Sequence, residues 1–260
     1  GRMGQLVLGP IWKAASDKKL FDFRDSTRLV DVVIKDGRVV AAVVEKADGS
    51  QEEIATDNVL MATNGYGANP KLLAEHNEEV SYIYYHGSRY SKGEALQIGI
   101  KHGAAYGFLD AYQGHAAISS HAKTLVGWTT IMQGGFIVNT SGERFGDESA
   151  GYSEYAAILN EQKGNTGWII IDKGIHEGSL LFKEYEYTAA SGAIVWADTI
   201  EELAAAISVP ADKLTAEIVN AAAVNAGSAV DHLGRKVFEK ALQSPFGAIK
   251  VRPALFHTQG

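Results

Sequence analysis

The stretch Gly134-Gly-Phe-Ile-Val-Asn-Thr-Ser-Gly-Glu-Arg-Phe-Gly-Asp-Glu148 reads as an apolar strand, a tight turn and a second short strand. Its far end crowds Glu143, Arg144, Asp147 and Glu148 together. A strand that delivers ion-pairing groups to its own end is one way a rigid scaffold presents a site. A hairpin with a solvated charged tip carries the same pattern. The stretch alone leaves both readings open.

The surrounding composition narrows the class. A chain of 260 residues makes one large domain or two smaller ones. With 46% apolar and 21% charged residues it can bury a sizeable core. A net charge of −7 supplies no basic face, so no nucleic-acid partner is expected. No apolar run reaches the roughly 18 residues a membrane helix needs, and the first residues lack the apolar core of a signal peptide. The expectation is a cytoplasmic protein with no membrane partner. With no cysteine, disulfides, iron–sulfur clusters and thiolate zinc are excluded. The eight histidines include no His-Glu-x-x-His pair, and His115 and His121 suit neither one helix face nor a tight metal loop, so no metal is expected. No Gly-x-Ser-x-Gly elbow is present, which disfavours a hydrolase.

Upstream of the hairpin, a weak helix is predicted from Gln5 to Lys18, interrupted by Pro10. Residues 27–34, 39–45 and 51–56 are strands separated by Asp-Gly turns, a three-stranded meander. The run Asn58-Val-Leu-Met-Ala-Thr-Asn-Gly-Tyr-Gly67 is predicted to be a buried strand feeding a loop where the backbone comes close to something else. Gly65 and Gly67 alone are no dinucleotide fingerprint. A short helix is expected over 70–78, a second from Gly93 to His102 capped by Gly103, and a strand from Ala104 to Leu109. Residues 110–133 read as one long irregular segment, of the kind that is usually functional.

Downstream, helices are predicted over 153–162, over 172–182, from a cap at Asp198 or Thr199, and from Val209 to Asn225. Strands are predicted over 166–171, 193–197 and 248–256, and residues 227–240 read as polar and irregular. The chain stops at His257-Thr-Gln-Gly260, which reads as the middle of a fold. An excised piece of a longer protein is the expectation.

Several of these segments together carry a resemblance. The meander followed by Ala62-Thr-Asn-Gly65 resembles the flavoprotein family of fumarate reductase and succinate dehydrogenase, where an Ala-Thr-Gly-Gly segment touches FAD. Gly93 to Ala104 resembles that family's Gly-Asp-Gly helix, with Lys92 where Asp is usual. Gly134–Glu148 is similar to its Gly-x-Ile-x-Val-Asn-x-x-Gly-x-Arg-Phe-x-x-Glu hairpin. Asp198 to Ala204 resembles its capping-domain helix, and His257-Thr-Gln-Gly260 its His-Thr-x-Gly-Gly. The matches run in the family's order and cover nearly all of the chain.

The resemblance implies an α+β fold: a partial, Rossmann-like FAD-binding domain with a β-meander (about 1–105 and 248–260) and an inserted α+β capping domain (about 106–247). It implies FAD as cofactor, contacted by Ala62, Thr63, Asn64 and Gly65. It implies hydride transfer between flavin and a carbon–carbon bond next to a carboxylate or ketone. His115 and His257, with Thr258, would hold the polar end of a small unsaturated acid or ketone. The electron donor or acceptor is left open. The Gly-rich pyrophosphate fingerprint is missing, so the 260 residues alone are expected to bind FAD weakly or not at all.

The departures shape the chemistry. The family's proton-donating arginine falls at Tyr152, and the relay glutamate and arginine fall at Trp128 and Ile131. The resemblance therefore implies Tyr152 as the catalytic acid or base beside His115 and His257. A phenol does this work when a neighbour lowers its pKa from about 10. The branch implied is nearer tricarballylate- or ketosteroid-dehydrogenase-like members than true fumarate reductase, and the substrate larger or less charged than fumarate. Arg144 and Glu148 are then a structural ion pair. The competing reading is a non-catalytic domain that binds a ligand or partner.

Overall fold

The chain opens with helix α1, Arg2–Asp17, which carries Pro10 within it and is longer than the sequence predicts. Residues 2–259 are described by a computed structural model. Contacts divide them into two units, Gly1–Gln113 with Leu255–Gly260, and Gly114–Ala254.

In the first unit, Trp12 of α1 packs on Phe21 and Phe23 with ring centroids at 5.0 and 4.7 Å. The meander forms as its β-branched runs dictate: β1 (Arg28–Lys35), β2 (Arg38–Glu45) and β3 (Gln51–Ala55), all antiparallel. Asp36 and Gly37 turn β1 into β2 with φ of 50° and 72°, the left-handed pair whose twist matches the strands. Helix α2 (Pro70–His76) starts at Asn69, whose side chain accepts from the amides of Lys71 and Leu72. A two-residue strand β4 (Tyr84–Tyr85) and helix α3 (Glu94–Lys101) follow. Lys101 and His102 both donate to Asp31 on β1. The Lys101 ammonium, with His102, holds that carboxyl well below the usual carboxylate range.

Two expectations fail in this unit. Residues 58–63 are not a buried strand: they belong to no element, and Leu60 is 92% exposed. An apolar run becomes a buried strand only when neighbours pair with its edges and cover its faces. Among the described residues, none pairs with it. Residues 104–109 are not a strand either, because Phe108 takes a left-handed φ of 56° that breaks an extended run.

In the second unit the expected irregular segment 110–133 contains strand β5 (Tyr112–Ser119), buried from Gly114 onward, and the single turn of helix α4 (Thr129–Met132). The small residues of Gly114-His-Ala-Ala117 show no alternation because the strand is covered on both faces. Then come β6 (Phe136–Val138), α5 (Glu154–Asn160), β7 (Gly167–Asp172) and α6 (Lys173–Ser179), capped by Asp172 at the Ile175 amide. A helix the sequence did not suggest, α7 (Lys183–Ala190), precedes β8 (Ile194–Ala197). Helix α8 (Ile200–Ile207) begins in a capping box of Thr199 and Glu202. Helix α9 (Ala211–Asn225) leads to the 13-residue strand β9, Phe246–Thr258. Pairing runs β6-β7-β9, antiparallel throughout, with β8 antiparallel on β9 and β5 paired with it. Phe136, Ile137, Ile169, Ile170, Leu203, Leu214 and Ile249 belong to one core, and the consecutive buried residues of β6 and β7 show that both faces of these strands are covered.

The charges that end the hairpin turn inward. Arg144 makes two parallel bonds to Glu148, Nε to Oε1 at 2.9 Å and an Nη to Oε2 at 2.7 Å. Its other Nη reaches Asp231 at 2.6 Å. Arg235 donates to the carbonyls of Gly135, Ile131 and Val237 and to Glu148 and Glu239. Phe238 lies between both guanidinium groups, at 4.9 and 4.1 Å from its ring centre. Arg144, Glu148 and Asp231 have no exposed side-chain surface. Glu143, by contrast, pairs with Lys213 in solvent.

Removing one member of a buried, charge-matched set leaves another ion unpaired, which costs about 3–5 kcal/mol. Glu148→Ala is therefore expected to lower unfolding stability by that amount in a urea titration, while Glu143→Ala leaves the midpoint nearly unchanged. The pH dependence carries a sign. Burial opposes ionisation of Asp231, but Arg144 outweighs it and holds the carboxyl below its usual range. Its contribution is full above about pH 4 and is lost as pH falls through the depressed folded value. Asp231→Asn should flatten the acid limb of the stability curve.

Candidate active site

Glu148 starts a short 3₁₀ turn, Glu148–Ala150, and Gly151 with φ of 108° redirects the chain into Tyr152. The Tyr152 carbonyl accepts from the Ala116 amide of β5 at 3.0 Å, which fixes its backbone against that strand. Its ring stacks on His115, with centroids 4.6 Å apart and planes 17° apart. His115 is 4% exposed and Tyr152 37%, so the phenol is the accessible member of the pair. The Ala117 amide donates to His115 Nδ1 at 3.0 Å. Nδ1 is thus an acceptor, and the proton of the neutral ring sits on Nε2. Trp128 meets His115 edge-on at 6.2 Å and is itself held by an indole N–H bond to the Glu148 carbonyl at 3.3 Å. Two residues expected to act together, His115 and Tyr152, are therefore in contact.

Beside Tyr152 is a cavity of about 470 Å³. Trp128, Ile131, Met132 and Val237 supply its apolar wall, and Lys236 and Glu239 line it as well. Trp128 and Ile131 stand here as hydrophobic surface. Tyr155, three residues on, is fully buried, its hydroxyl has no hydrogen-bond partner, and burial pushes its pKa up.

In the first unit, His257 Nε2 donates to Gln113 Oε1 at 2.7 Å. Thr258 is 2% exposed, and its Oγ1 accepts from the Tyr66 amide at 2.8 Å. A Cβ on Gly65 would lie within contact distance of that hydroxyl and 2.6 Å from the Thr258 carbonyl oxygen, so only glycine fits there. Thr258, expected among the substrate contacts, is a tether for the Asn64–Gly67 turn. Ala62, Thr63 and Asn64 are exposed, and Asn64 has a left-handed φ of 67° with its side chain accepting from the Gly65 amide. Among the described residues, no backbone amide from 57 to 64 donates to another backbone group. Ala62, Thr63 and Asn64 thus form an uncovered stretch, anchored at Gly65 by the contact with Thr258, that leaves room for a cofactor against it.

Sequence reasoning missed three groups. Gln113 sat in a segment read as irregular, and nothing marked it as the partner of His257. Asp231 and Arg235 sat in another such segment; the excess of acids over arginines at the hairpin end is a signal for a second cation, which Arg235 supplies, and nothing marked Asp231.

No helix among the described residues is long and apolar enough to cross a membrane, and no group of three His, Cys, Asp or Glu among them could hold a metal ion. The FAD binding domain family profile matches residues 2–260, and the chain belongs to that family. It is 25% identical over 259 residues to a probable fumarate reductase of Shewanella frigidimarina, covering 99% of this chain and 43% of that protein. It is 26% identical over 284 residues to a 3-oxosteroid 1-dehydrogenase of Mycobacterium tuberculosis, covering 94% and 47%. A flavocytochrome c3 fumarate reductase solved in its open conformation superposes with a TM-score of 0.71 at 25% identity, over 95% of this chain and 43% of that one. The chain thus spans under half the length of these relatives, its fold is theirs, and FAD is the cofactor of the family.

Two substitutions test the local geometry. Tyr155→Phe removes a buried hydroxyl without a partner and should raise stability by about 1 kcal/mol, read as a higher thermal midpoint. Gly65→Ala should cost about 1–3 kcal/mol by overpacking against Thr258, read as a lower denaturant midpoint.

Proposed function

We propose that this chain is part of an FAD-dependent oxidoreductase acting on a carbon–carbon bond next to a carboxylate or ketone. The observation that supports it most directly is the stack of Tyr152 on His115 beside an apolar cavity, in a chain of this family. The bound flavin supplies hydride donation or acceptance. Ala62, Thr63, Asn64 and Gly65 are the residues of this chain that would hold it, through an exposed stretch in which the amides of Ala62, Thr63 and Asn64 donate to no other backbone group among the described residues.

The chain's own groups then divide the remaining work. His115 presents Nε2–H, a donor to the carbonyl or carboxylate oxygen of the substrate, and so steadies negative charge that develops there. Tyr152 moves the second proton through its hydroxyl, as base in the oxidising direction and acid in the reducing one. His257, whose Nε2–H is held on Gln113, serves the substrate's polar end through a reoriented ring or through that amide. Unit Gly114–Ala254 is the capping portion, and Gly1–Gln113 with Leu255–Gly260 the FAD-binding portion.

Hydrophobic walls at Trp128 and Ile131 favour a substrate larger or less charged than fumarate, toward the steroid-dehydrogenase side of the relatives. Flavin absorbance of the full-length protein, followed against a panel of enoates and enones, is the test. Bleaching or reoxidation with members carrying an apolar body is expected, with fumarate a poor substrate. Tyr152→Phe should lower turnover by on the order of 10²–10⁴ with flavin retained. Unchanged turnover in that variant, or efficient fumarate reduction, would overturn the reading.

A further inference from the structure

The polar groups around the 470 Å³ cavity are nearly all spent within the protein. Arg235 has five N–H donors, and they meet five acceptors: Val237 O, Gly135 O, Glu148, Ile131 O and Glu239. The Glu148 carboxylate is taken by Arg144 and by the Ile137 amide. The amide and hydroxyl of Ser149 both bond to Asp147. Glu239 is matched by Arg235. Lys236 is the cation that lines this space with no ion pair among the described residues, and it follows Arg235 directly, at the end of the buried network. Its neighbours on the wall are apolar: Trp128, Ile131, Met132 and Val237.

We propose that Lys236 is a specificity-determining residue: it receives the carboxylate of a monoanionic, apolar-bodied ligand lodged in this cavity. This deepens the proposed function, and rests on it in taking the cavity beside Tyr152 as a substrate site. The volume fits one ligand of ordinary small-molecule size. An ammonium on a flexible stem in a cavity otherwise lined by apolar side chains suits one carboxylate attached to a hydrophobic group. The cavity carries no second uncommitted cation, so a dicarboxylate would bring one anion into it unmatched.

Calorimetric titration of the flavin-bound, full-length protein with cinnamate, its neutral isostere cinnamamide, and fumarate tests this. Cinnamate should bind about tenfold more tightly than cinnamamide, the scale of one charge-assisted hydrogen bond. Lys236→Met should bring that ratio to about one, and Lys236→Arg should preserve it. Unperturbed thermal midpoints would show that both variants fold. A ratio near one in the unaltered protein, a ratio unchanged in Lys236→Met, or tighter binding of fumarate than of cinnamate would overturn the proposal. The binding ratio is read without turnover. If it persists while no enoate or enone bleaches the flavin, the reaction falls and the ligand preference stands.

Discussion

Two guanidinium groups lie inside the second unit with no exposed surface to speak of, and the segment around them is organised by the need to satisfy them. A buried ion is tolerated only when its charge and its hydrogen bonds are both matched. Arg144 achieves this with Glu148 and Asp231, and Arg235 with main-chain carbonyls and two carboxylates. The matching has a geometric by-product. It fixes Glu148, and Glu148 begins the turn that ends at Tyr152. It also fixes residues 231–239, which have no regular structure of their own and which supply one wall of the cavity. Tyr152 and the space beside it thus share one electrostatic anchor.

Glu217 on α9 belongs to the same region with the opposite tendency. One oxygen accepts the Arg144 amide, the other has no partner, and burial pushes its pKa up. Asp231 favours the folded state more as pH rises toward its ordinary value of 3.8, and Glu217 favours it less as pH rises beyond its ordinary value of 4.5, so the two carboxylates act with opposite sign in successive windows.

Local pattern carried much of this fold. Alternating β-branched residues and Asp-Gly turns specify the meander, and Thr199 with Glu202 specifies the start of α8. The ion pair of Arg144 with Glu148 was legible because both ends lie in one hairpin. What was not legible depended on distant partners. Residues 58–63 have a strand's composition, yet a strand exists only through neighbours. β5 was hidden for the converse reason: small residues covered on both faces show no alternation. For the site, the resemblance singled out His115 and Tyr152, but not the stacking of one on the other. The direction of the His115 proton did not follow from it either, because it is set by a main-chain amide two residues away.

The close fit of Gly65 against Thr258 also ties two ends of the chain into one historical unit. The positions are 193 residues apart, yet the space at one is filled by the other. A larger residue at 65 becomes tolerable only after the side chain at 258 shrinks and the strand end shifts, since the Thr258 carbonyl stands in the way as well. Loss of the hydroxyl at 258 first would strand the Tyr66 amide that it receives. A single change at either position therefore carries a cost set by the residue at the other. The exposed stretch 62–64 is thereby anchored by a residue that its own sequence gives no reason to expect.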